Sequence, residues 1–178
     1  MNSIRGWIAG ISSAVILGAI VLAGFDDNTS KPMLLNGDAV GMDHDETFYE
    51  YQHRIAPTLH REGEGFALVS FAAPVNVDKA GQLATQWPVG RVNAVTLPDS
   101  APVAVPEPIA PETRREVFAR AQRNNPDIRD RISGAVVYGQ LADIRVIAAS
   151  PEVASVEVLP EDAAWGRFGI RPVDPSKR

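Results

Sequence analysis

Phe66-Ala67-Leu68-Val69-Ser70-Phe71 is the stretch from which the fold is read. Six residues without charge or proline, rich in aromatic and branched side chains, predict a buried strand. Val77 to Gln86 follows as a short helix closed off by Pro88, and Arg91 to Leu97 reads as a second strand. The three pieces form a strand-helix-strand unit.

The same order returns farther along, with Ser133 to Tyr138 as a strand, Gln140 to Ser150 as a helix and Val153 to Leu159 as a strand. Leu141, Ile144, Ile147 and Ala148 recur at helical spacing, and Pro151 marks the end of that helix. Ala154, Val156 and Val158 fall on one strand face, with Ser155 and Glu157 on the other. This is the period of two expected where one face of a sheet meets a core. Two such units in succession are the parts of a split β-α-β, ferredoxin-like α+β sandwich. The expectation is an antiparallel or mixed four-stranded sheet with both helices on one face. The alternative joins the same strands into a different mixed sheet, because adjacency is not written in the sequence.

The run Leu141 to Leu159, above all Pro151-Glu152-Val153-Ala154-Ser155-Val156-Glu157-Val158, resembles the closing helix and strand of the propeptide-like inhibitors of subtilisin-type proteases. It is also similar to part of the extracellular domain of the cell-division ABC-type permeases. What the resemblance implies is a closing helix, turn and amphipathic strand of a ferredoxin-like domain.

Around these units the chain is punctuated by proline. Pro98 to Pro111, with prolines also at 102, 106 and 108, predicts an extended surface crossover and forbids a central strand. Glu112 to Asn124 is expected as a helix with Pro111 at its first position and Asn125-Pro126 as its stop. Upstream, a helix is expected from Asp45 as N-cap, with Phe48, Tyr51 or Gln52, Ile55 and Leu59 on its buried stripe and Pro57 bending or splitting it. The tail from Glu161 carries Trp165 and Phe168, which are too apolar to be left loose and should dock on the sheet.

At the other end, Gly6 to Phe25 holds no charged residue. As a helix rising about 1.5 Å per residue, it would cross a hydrocarbon core of roughly 30 Å. Arg5 before it and Asp26 and Asp27 after it orient the N-terminus to the cytoplasm. The apolar run is long for a cleaved signal, although Val21-Leu22-Ala23 offers an alternative cleavage site. Gly6, Gly10, Ala14 and Gly18 form a small-residue stripe suited to association of two such helices in lipid. The expected organisation is therefore a cytoplasmic N-terminus and anchor over 1–25, an acidic tether over 26–44, an extracytoplasmic α+β domain over 45–172 and a tail over 173–178. The lipid bilayer is one partner on this reading.

Composition narrows the function. Residues 26 to 64 carry nine acids against Lys31, Arg54 and Arg61, while the remainder is balanced. No basic surface large enough for nucleic acid is evident. The chain has no cysteine, which excludes thiol chemistry and disulfides. His44, His53 and His60 are the candidate metal ligands, but Pro57 interrupts the helix between the last two, and no spacing matches the pair of a zinc helix. Ser70, Ser133, Ser150 and Ser155 lack a nucleophile elbow. The basic cluster Arg114, Arg115, Arg120, Arg123, Arg129 and Arg131 is interleaved with acids and reads as a solvated, ion-paired face.

With no cofactor or catalytic set indicated, the leading expectation is a membrane-anchored, non-catalytic interaction or regulatory module of the cell envelope. Its partner is expected to be another membrane or envelope protein, met through Trp165 and Phe168 or through the sheet edges. The alternative is a secreted or anchored metal-dependent hydrolase using His44, His53 and His60.

Overall fold

A computed structural model describes residues 39–125, 128 and 131–178. The expected anchor Gly6 to Phe25, with Gly6, Gly10, Ala14 and Gly18, lies outside the described residues, as does most of the tether. Among the described residues, no helix is long and apolar enough to cross a membrane.

The compact unit Gly37–Arg178 is a mixed α+β fold. In chain order its elements are β1 (Ala39–Val40), α1 (Phe48–Ile55), a 3-10 turn (Ala56–His60), β2 (Glu64–Val75), α2 (Val77–Gln86), β3 (Arg91–Leu97) and β4 (Ser100–Ala104). There follow α3 (Arg114–Asn124), β5 (Ile132–Gln140), α4 (Leu141–Ala148), β6 (Val153–Val158) and β7 (Gly169–Ile170). The main sheet runs β4-β3-β5-β2-β6, and every neighbouring pair in it is antiparallel. The two strand-helix-strand units are interleaved, since β5 sits between β3 and β2.

Five strands stand where four were expected. The extra one, Ser100–Ala104, comes from the proline-rich crossover and pairs with the outer side of β3, Val95 opposite Val103. Proline rules out a central strand but not an edge, where its missing N–H faces no partner. Thus Pro102 both permits this strand and ends the sheet there.

The helix signals need two corrections. Thr47, not Asp45, caps α1. Its hydroxyl accepts from the Glu50 N–H at 3.3 Å, while the Glu50 carboxylate accepts from the Thr47 N–H at 2.8 Å. Thr113 and Glu116 repeat this reciprocal box on α3, leaving Pro111 outside the helix. Both boxes satisfy backbone donors that a first turn otherwise leaves open. Pro57 does divide the first helical stretch, since α1 ends at Ile55 and a 3-10 turn takes over.

One face of the sheet carries the larger core. Ala67, Val69, Phe71, Val92, Val95, Ala135, Val137, Val156 and Val158 meet Val77, Ala80, Leu83, Val117, Phe118, Ile144 and Ile147 from the helices. α3 crosses α2 so closely that a Cβ on Gly81 would lie 2.8 Å from the Arg115 Cα. The opposite face is also covered. Val40, Met42, Tyr51 and Ile55 from the beginning of the unit, and Leu159, Phe168 and Val173 from its end, close over Leu68 and Val136.

That second cover is stitched together from both ends. β1 and β7 pair in parallel, Phe48 N–H donates to the Lys177 carbonyl at 2.9 Å, and Arg171 ion-pairs with Asp43. Residues 39–44 and 173–177 therefore pack as parts of the folded body. The free edge of β6 is closed by the same cover. Val158 N–H donates to the Thr58 hydroxyl at 3.1 Å and Gln52 donates to the Ala154 carbonyl at 3.1 Å.

Candidate functional site

Two constellations stand out on the second face of the sheet, one buried and polar, the other aromatic and open. The first is centred on Glu157. Because Val156 and Val158 point into the larger core, alternation along β6 turns Glu157 to the other side, where the cover buries it. One of its oxygens accepts from the Gly41 N–H at 2.7 Å and from the Tyr51 hydroxyl at 3.1 Å. Its other oxygen faces Arg54 at 3.4 Å. Arg54 reaches Glu46 through two nitrogens at 2.8 and 2.9 Å, donates to the Gly41 carbonyl at 2.9 Å and lies 5.2 Å from the centre of the Tyr51 ring.

Burial pushes the Glu157 carboxyl above its ordinary range, against the pull of the Gly41, Tyr51 and Arg54 donors. Burial also raises the Tyr51 phenol, whereas the Arg54 hydrogen bond holds Glu46 low. With its lone pairs engaged by three donors, Glu157 is arranged to hold segments together. It joins β1, α1 and β6 through one carboxylate.

The second constellation is aromatic and open. Phe66 on β2 and Tyr138 on β5 are register partners, with ring centroids 4.8 Å apart. Trp165 lies along Phe66 at 6.2 Å with the rings nearly parallel, and Phe168 stands at 5.6 Å from Phe66. Beside this group is a cavity of about 350 Å³ lined by Glu64, Phe66, Arg91, Tyr138, Glu161 and Ala163, among others. Its volume is near the lower end of ligand sites. The Tyr138 hydroxyl donates to Glu64 at 3.2 Å, and the Gln140 amide donates to the other Glu64 oxygen. That bond and the nearby charge raise the Tyr138 phenol.

The candidate partner residues thus divide. Phe168 is 8% exposed and belongs to the second core, while Trp165 is 41% exposed and caps the aromatic group from outside. The histidines are scattered on the surface: His44 precedes α1, His53 lies on its exposed side and His60 ends the 3-10 turn. Among the described residues no group of three or more His, Cys, Asp or Glu side chains is placed to hold a metal ion. The arginines of the basic cluster largely have acidic neighbours, with Arg114 on Glu107 at 3.3 Å, Arg115 on Asp78 at 3.0 Å, Arg120 on Glu112 and Arg131 on Asp99.

The sequence carries a local signal for only part of the buried constellation. Thr47-Phe48-Tyr49-Glu50 is a capping box on its face, and it fixes where α1 starts and hence where Tyr51 and Arg54 project. Glu157 was visible only as the polar half of an alternating strand, which reads equally well as solvent-facing. Comparison with protein-family models, with curated proteins and with solved structures finds no match for the chain. The resemblance carried by Leu141 to Leu159 accordingly gains no support from them.

Proposed function

We propose that this chain is a single-pass membrane protein whose extracytoplasmic domain is a non-catalytic interaction or regulatory module of the cell envelope. The domain is a ferredoxin-like, split β-α-β sandwich extended by one edge strand; the order β3-β5-β2-β6 of the repeated strands supports that reading. The uncharged run Gly6 to Phe25 is its anchor, and the stripe Gly6, Gly10, Ala14 and Gly18 its route to self-association in the bilayer.

The observation that carries the module reading is the open aromatic group of Phe66, Tyr138 and Trp165 beside a cavity. Both sheet edges are blunted, one by Pro102 and the other by Gln52 and Thr58. A partner adding a strand would meet no ready template. Recognition through side chains on a face remains, and tryptophan and tyrosine are enriched in such contacts.

The test is a photo-crosslinking amino acid placed at Trp165 in the full-length chain, irradiated in native membranes. The expected result is one predominant envelope-protein adduct that is absent when the same probe sits at Ile109, an exposed site far along the chain. An identical adduct pattern from both positions would refute the reading.

A further inference from the structure

We propose that the cavity beside Phe66 and Tyr138 receives the side chain of a basic residue, arginine or lysine, presented by an extended segment of the protein partner. The inference rests on the interaction-module reading and names the chemistry that the partner brings. Three features of the cavity carry it.

The wall is aromatic. Phe66 and Tyr138 line the cavity with their rings 4.8 Å apart at an interplanar angle of 57°, and Ala163 is the small residue beside them. A cation within about 6 Å of a ring centroid is attracted to its negative face.

The rim is acidic. Several of the described surface acids are met by cations: Glu46 by Arg54, Glu107 by Arg114, Asp78 by Arg115, and Glu152 by Lys79 at 3.0 Å. Glu64 differs. Its two oxygens accept from the neutral Tyr138 hydroxyl and the neutral Gln140 amide, which orient the carboxylate and leave its charge in place. Glu161 lines the same cavity, and Arg91, though it lines it too, makes no ion pair with either acid among the described residues. Two carboxylates against one guanidinium leave the cavity negative.

The third feature is selectivity against anions. Among the described residues lining the cavity, an incoming carboxylate or phosphate would have Arg91 to meet and two acids to repel it. A guanidinium or ammonium gains both acids and the aromatic wall, and an arginine can take Glu64 or Glu161 in a forked contact.

The experiment uses the purified full-length chain in detergent micelles and two capped peptides, Gly-Arg-Gly and its neutral counterpart with citrulline in place of arginine. Chemical shifts of the Phe66 and Tyr138 rings are followed during titration. Saturable shifts with the arginine peptide are expected, with binding weakened about tenfold for the citrulline peptide and for Glu64→Gln. Glu161→Gln, at an exposed turn, serves as a second variant that leaves the strand pairing untouched and should weaken binding in the same direction. Equal binding of the two peptides, or no saturable shift with the arginine peptide, overturns the proposal. If the arginine peptide fails to bind while the probe at Trp165 still traps an envelope protein, the module reading stands and the basic-residue inference falls. If neither gives a signal, both fall.

Discussion

Replacing Gly41 by alanine would place a methyl carbon 2.2 Å from the Arg171 carbonyl oxygen, on a residue whose φ is +98°. Gly63 provides the matched comparison, because its φ is +91° but nothing lies within 4 Å of its missing Cβ. Gly63→Ala therefore measures backbone strain alone, about 1–2 kcal/mol. Gly41→Ala adds a collision with backbone that cannot swing aside, since the Arg171 N–H donates to the Val40 carbonyl at 2.8 Å. Relieving that collision moves the Gly41 N–H off Glu157, where it donates at 2.7 Å to a buried carboxylate. Leaving such a group short of a donor costs about 1–3 kcal/mol more. The expected destabilisation is about 2–5 kcal/mol for Gly41→Ala, read as the shift in urea midpoint at constant slope. Equal midpoints for Gly41→Ala and Gly63→Ala would show that the Gly41–Glu157 contact does not hold the second cover to the sheet.

Other consequences follow from the same contacts. Glu157 has a folded pKa above its ordinary value, so its ionised form disfavours the fold and stability should decline as pH rises through the window above 4.5. Glu157→Gln should flatten that dependence in thermal melts while keeping an oxygen for Gly41 and Tyr51; Glu157→Leu, which removes every acceptor, should destabilise at all pH values. Glu152 behaves in the opposite sense. The Ser150 hydroxyl and Lys79 hold it down to about 2, so its contribution is present above 4.5 and is lost as pH falls toward 2, and Ser150→Ala should shift that loss to higher pH. In the sheet centre, Gly134→Ala would put a methyl 2.2 Å from the Val69 carbonyl oxygen and force β2 and β5 apart, costing about 3 kcal/mol or more in denaturant titration. Because the native chain has no cysteine, Asp162→Cys gives a single thiol. Labelling by a membrane-impermeant maleimide from outside the cytoplasmic membrane is expected, and protection there until lysis would oppose the proposed orientation.

Much of the sheet was legible because its units are bounded by local chemistry. Asn76 caps α2, Pro88 and Pro151 stop helices, and the β-branched runs between them have one plausible use. Val77–Gln86 and Arg91–Leu97 match the expected ranges for that reason. β4 was hidden by the same proline rule, which speaks of central strands and is silent about edges. The second cover was hidden for a different reason. Its pieces, Ala39–Val40 and Gly169–Ile170, are two residues long, lie at opposite ends of the unit and gain their stability from pairing with each other. Nothing within either dipeptide announces a strand. The candidate site shares this dependence on distant segments: Glu64 and Phe66 come from β2, Tyr138 from β5, and Glu161 and Trp165 from the tail.

The arrangement of the cover has a consequence for how a partner's grip would be felt. Trp165 and Phe168 sit on the tail that also supplies Gly169–Ile170 to β1, and β1 leads directly into Gly41, whose N–H meets Glu157. A ligand that displaced Trp165 from Phe66 would therefore pull on the segment that closes the second core. Tyr51, fully buried and bonded to Glu157, resists that pull from α1. Tyr51→Phe removes the hydroxyl and leaves the ring, so it tests the connection without opening a cavity. It should weaken the cover by about 1–3 kcal/mol and speed amide exchange at Val40 and Ile170 more than at Val69 in the sheet. Uniform acceleration at all three would mean that cover and sheet open as a single unit, and that the aromatic face has no separate lever on β1.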